Sequence, residues 1–123
     1  MNSDLEIGFR KKPEDLEGFL KERGYEGLYS GSKCVSYEPV GEVWPQLFHV
    51  LDFVPTNDKF SNWQKAGYNI VSHLKIDFPE GRFRIKAMRL ARQIGLKYDC
   101  VLFNPLETSD AEAFCDGRDI EEV

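Results

Sequence analysis

The sequence has no C-x-x-C pair, no G-x-x-x-x-G-K, no G-x-G-x-x-G and only two histidines, His49 and His73. Phosphate loops, dinucleotide folds and zinc knuckles each need one of those spacings, so none of them is indicated. The three cysteines, Cys34, Cys100 and Cys115, are odd in number and widely spaced. Parity excludes a full disulfide framework but allows one bridge, and the reading is reduced thiols in a cytoplasmic protein. The polar, acidic start Met1-Asn2-Ser3-Asp4 lacks the basic and apolar regions of a secretory signal. No apolar run is long enough to span a bilayer.

The 123 residues suffice for one α+β domain over 1–123 with a single core, and the expected boundary within it is an acidic C-terminal tail, 106–123. Hydrophobic residues make up 41% and charged residues 30%, too apolar for disorder. A net charge of −5 argues against general nucleic-acid binding, which needs a basic surface to release counterions, and permits a basic partner.

The charge is segregated along the chain. Residues 82–97 hold Arg82, Arg84, Lys86, Arg89, Arg92 and Lys97 and no acid. Residues 107–123 hold Glu107, Asp110, Glu112, Asp116, Asp119, Glu121 and Glu122 against the single cation Arg118. Fields of this kind steer association and select partners without defining a fold.

Periodicity supplies the fold. Leu5-Glu6-Ile7-Gly8-Phe9 alternates as a strand with Leu5, Ile7 and Phe9 inward. Lys12-Pro13-Glu14-Asp15 opens a helix whose stripe is Leu16, Phe19 and Leu20, and Gly24 stops it. Leu28-Tyr29 and Cys34 to Tyr37 flank Gly31 as a hairpin. Leu47 to Val54 is apolar on both faces and reads as a central strand. After the turn cluster Pro55 to Asp58, a short helix over 59–66 packs Phe60 and Trp63.

Tyr68 to Phe78 reads as a long strand. Tyr68, Ile70, Leu74, Ile76 and Phe78 share one side; Asn69, Val71, His73, Lys75 and Asp77 share a wet or partner-facing side. A helix over 82–97 then buries Phe83, Ala87, Leu90, Ala91, Ile94 and Tyr98, with Gly95 set to end it early. Cys100 to Phe103 is a buried strand beside the long one, closed by Asn104-Pro105. Ser109 to Phe114 is a further helical turn, with Phe114 and Ile120 as anchors. The expected fold is α+β: a single mixed, mostly antiparallel sheet, helices on one face, with a ferredoxin-like βαββαβ core.

No catalytic constellation stands out. The histidines lie in separate strand candidates, and the simpler reading is structural. Cys34, beside Lys33 at a hairpin, has the most electropositive setting of the thiols. No cofactor or metal is indicated.

The stretch Ala87-Met88-Arg89-Leu90-Ala91, followed by Tyr98-Asp99-Cys100-Val101-Leu102-Phe103-Asn104-Pro105, is a helix, a Tyr-Asp pair and a short apolar strand closed by Asn-Pro. It resembles small bacterial α/β immunity proteins of polymorphic-toxin and contact-dependent inhibition systems, in which Asp is commoner at the place of Asn104. The resemblance covers about residues 68–105 and implies a cytoplasmic antidote that binds a toxin domain. It supplies no site residues.

The expectation is therefore a non-enzymatic protein binder that neutralises a cationic toxin domain, a nuclease being the natural target because its phosphate groove is basic. The expected interface is Asp110, Glu112, Asp116, Asp119, Glu121 and Glu122 around Phe114, with Asn69, His73, Lys75 and Asp77 as the second surface. The alternatives are an RNA-associated protein using the helix over 82–97, and a small enzyme with a His49 or His73 site.

Overall fold

A computed structural model describes residues 2–51, 63–64, 67–79, 81–103 and 114–121. Seven strands and two helices are found among them: β1 (Asn2–Phe9), α1 (Leu16–Glu22), β2 (Tyr25–Ser30), β3 (Cys34–Pro39), β4 (Gln46–Val50), β5 (Ser72–Pro79), α2 (Arg84–Lys97), β6 (Cys100–Phe103) and β7 (Phe114–Asp116). A 3-10 turn, Gly117–Asp119, follows β7. The strands form one sheet in the order β2-β3-β4-β5-β1-β6-β7. Every neighbouring pair is antiparallel.

Alternation in β1 sends Leu5, Ile7 and Phe9 to one face, where each is 0% exposed. Opposite them in register stand Ile76, Leu74 and Ser72 of β5, and Leu102 and Cys100 of β6 answer Ile7 and Phe9. The stripes Leu16, Phe19 and Leu20 of α1 and Ala87, Leu90, Ala91 and Ile94 of α2 close over this face in a single apolar cluster. Each Leu, Ile or Phe side chain among them contributes about 1.5–3 kcal/mol by leaving water. Asp15 caps α1 by accepting from the Gly18 N–H at 3.2 Å, and Gly24 ends it at φ +86°.

The α+β class and the placement of both helices on one face agree with the sequence reading. The ferredoxin-like order does not, and the described sheet is antiparallel throughout instead of mixed. That core puts two strands between its helices, whereas here four strands, β2 to β5, lie between α1 and α2. The chain leaves β1 through α1 for the sheet edge, walks back through three hairpin steps to β1, and only then enters α2. In consequence β6 pairs with β1 and not with the long strand β5.

Three local expectations also change. The long strand starts at Ser72, not Tyr68. Ile70 packs with Trp63 and Phe103 on the face opposite Leu74 and Ile76, over Gly8, where a Cβ would come within 2.9 Å of Ile70 Cδ1. Phe83 leaves the core stripe because it is the N-cap of α2 in the left-handed region, φ +65°, and is 36% exposed. Gly95 does not end α2; the helix runs to Lys97, and Gly95 is buried where the main chain of Gly117 crosses it.

The expected segments 53–62 and 104–113 lie outside the described residues, including Phe60 and the turn before Phe114. No helix among the described residues is long and apolar enough to cross a membrane.

Candidate functional site

The sheet face away from the helices is built differently. Residues that alternate with the core positions come to it, and the register lines them up in rows across the strands. Glu26 of β2 stands opposite Glu38 of β3. The β3–β4 ladder pairs Tyr37 with Leu47, so the next step brings Glu38 to Gln46. Gln46 stands opposite Asp77 of β5, and Asp77 opposite Asp4 of β1. Four carboxylates and one amide from five strands thus form a single row, with neighbouring Cβ atoms about 5 Å apart. Glu26 is exposed and the other four are half-buried. Lys75 Nζ, one row further along, lies 3.7 Å from Asp4 Oδ2 and offsets one charge.

Two of the pairs in this row, Glu26 with Glu38 and Asp4 with Asp77, are like charges directly opposite one another. Such pairs oppose sheet formation, and local rules are broken in this way mostly where function needs it. Replacing Glu26 by Gln together with Asp77 by Asn should therefore raise stability by about 1 kcal/mol, more at low salt than at high. Urea unfolding at two ionic strengths checks this; unchanged or lower stability means that the row stores no repulsion.

Behind the row the same face becomes dry. Glu6 and His73 are 3% and 6% exposed, with His73 Nδ1 3.3 Å from Glu6 Oε2, under the cover of Trp63. Of the second expected surface, then, Lys75 and Asp77 belong to the open face, His73 is buried beneath it, and Asn69 is exposed ahead of β5 in the connection from Trp63.

The tail is divided as well. Asp116 turns inward: Arg10 donates through Nη2 to its Oδ2 at 2.7 Å and through Nε to Asp99 Oδ1 at 2.7 Å. The N–H of Arg118 and the Arg10 guanidinium hold the Asp116 carboxyl below the usual range. This clamp ties the edge strand β7 to the end of β1. Asp119 and Glu121 are exposed, Ile120 is buried in the main core as an anchor, and Phe114 is placed in β7 opposite Phe103. Asp110, Glu112 and Glu122 lie outside the described residues.

Both imidazoles and the Cys100 thiol are withdrawn from solvent. His49 is 6% exposed, its Nε2 3.2 Å from Ser72 Oγ and its ring edge-on to Phe9. Burial, with the nearby His73, pushes its pKa down to about 4. Burial pushes the Cys100 thiol up to about 12. Cys34 is half-buried at the start of β3. No group of three or more metal-ligating side chains occurs among the described residues.

Asp4, Glu26, Glu38 and Gln46 were missed in the sequence because no motif links them. Their signal is the side each takes in its own strand, and only pairing in register makes it a surface. Comparison with known protein families, curated proteins and solved structures finds no match.

Proposed function

We propose that this chain is a non-enzymatic binding protein, an antidote of the immunity-protein kind that covers the active site of a cationic toxin domain with the open face of its sheet. The observation that carries the reading is the acidic row Glu26, Glu38, Gln46, Asp77 and Asp4, with its two like-charged pairs. A cationic partner relieves that repulsion on docking, so the groups that weaken the free protein strengthen the complex. Complementary charge also speeds encounter and rejects wrong partners. A nuclease suits this face because its substrate groove must be basic. The burial of both imidazoles favours binding over acid–base chemistry at either.

The test is co-expression with the protein encoded by the adjacent gene, scoring growth rescue and complex formation by calorimetry. The wild-type chain should protect and bind. The Glu38→Lys, Asp77→Lys double variant should bind at least about tenfold more weakly and lose protection. A neighbour of metabolic function that does not bind, or full protection by the double variant, would overturn the proposal.

A further inference from the structure

On the helix side, away from the acidic row, the surface has the opposite character. A groove of about 830 Å³ lies along the first half of α2, and its lining includes Arg23, Arg84, Lys86 and Arg89 and, among the described residues, no carboxylate. Its floor is apolar, with Tyr25 and Leu90 each 4% exposed. Phe83 stands between it and a second cavity of about 510 Å³ that reaches Val43 and Trp44. Ile85 and Val43, at 59% and 56% exposed, lie on either side of Phe83. The left-handed backbone of Phe83 disfavours a bulky side chain and turns it outward, away from the core stripe of α2. The cations are held in place. Arg23 donates through Nε to Gln93 Oε1 at 2.6 Å and through Nη1 to the Phe19 carbonyl at 3.0 Å, and Lys86 Nζ meets Glu42 Oε2 at 2.6 Å.

We infer that this groove docks an acidic peptide segment of a second protein, one carrying an aliphatic or aromatic anchor between carboxylates. The cationic rim supplies complementary charge, and the apolar floor gives one inserted side chain a place to leave water. Lys86 would exchange Glu42 for a carboxylate of the peptide, so the pair it makes now marks the charge the rim selects. A long polyanion fits less well. Its many phosphates would find only the four cations of the rim and would oppose the net charge of −5. This site is independent of the acidic face and stands whether or not that face binds a toxin.

The probe is a fluorescein-labelled peptide of nine residues, with Asp and Glu flanking a central Leu-Phe, followed by fluorescence anisotropy at two salt concentrations. Arg84→Glu and Arg89→Glu should each weaken binding about tenfold and Ile85→Ser about fivefold. Lys12→Glu, which makes the same change of net charge outside the groove, should leave it within about twofold. All four positions are at least partly exposed, and thermal melts check that the variants stay folded. Equal binding of a peptide with Ser-Ser in place of Leu-Phe would reduce the site to bulk charge and overturn the proposal. So would displacement of the peptide by a short single-stranded oligonucleotide at lower concentration. Concentration-dependent self-association that Arg89→Glu abolishes would make the occupant a second copy of this chain, and would equally overturn it.

Discussion

Gly95→Ala should destabilise the protein by about 2 kcal/mol, although alanine is the better helix former by about 1 kcal/mol. The sign follows from one contact. A Cβ on Gly95 would run into the carbonyl oxygen of Gly117, and a Cβ on Gly117 would lie 2.9 Å from the Cα of Gly95 and 2.7 Å from Cys100 Sγ. The two glycines let the 3-10 turn lie directly on α2 and β6. A flexible side chain could move aside for the extra methyl; a main chain tied into the sheet cannot. Overpacking of this kind costs up to about 3 kcal/mol, which exceeds the propensity gain. The turn is held at one end by Asp116 on Arg10 and at the other by buried Ile120, so displacing it loosens β7. Leu96→Ala, on the exposed side of the same helix, is the control and should shift stability by less than about 0.5 kcal/mol. Chemical denaturation of both variants decides the matter: a more stable Gly95→Ala protein would mean that the turn does not pack there.

That contact also shows where the reading of the sequence stopped. Gly95 near the end of a periodic stretch looks like a helix terminator, because composition carries no trace of a chain segment crossing twenty-two residues later. Periodicity located β1, α1, the β2–β3 hairpin, the buried half of β5 and the apolar stripe of α2, since each is decided by which side of a local element faces oil. It did not decide which strands are neighbours. β6 lies beside β1 because α2 carries the chain across that strand, and four strands separate the helices where a ferredoxin-like core has two. Ile70 follows the alternation of β5 in the sequence, yet packs on the other face because the missing side chain of Gly8 leaves room for it there.

The same limit applies to the candidate sites. A run of acids is visible in the sequence and a row of acids is not. Asp116, the first carboxylate of the described tail, is spent on Arg10 and holds an edge strand. The carboxylates that form a surface come from strands whose alternation placed each one outward, and whose register then set them side by side. Four carboxylates line up in one row on the open sheet face, and four cations line the apolar groove on the helix side.

Acid should weaken the fold through His49, by about 3 kcal/mol between pH 6.5 and about 4. In the unfolded chain the imidazole takes up a proton near its ordinary pKa of 6.5; in the folded chain burial, with the nearby His73, delays that to about 4. Above 6.5 both states are neutral and this stability is fully present. As pH falls the unfolded state binds the proton first, and stability drops by about 1.4 kcal/mol per unit until the folded form also protonates. The groups around the ring do not offset the cost. Ser72 Oγ at 3.2 Å is neutral, Phe9 presents a ring edge, and His73 adds like charge when protonated. His49→Gln keeps a polar partner for Ser72 and removes the titration. Subtracting its stability curve from that of the wild type, point by point between pH 7.5 and 4, removes the contributions of the carboxylates and isolates His49. The difference should be flat above pH 7 and slope steeply below 6. Parallel curves for the two proteins would mean that His49 is open to solvent, and that the face of the sheet beneath α1 and α2 is not closed over it.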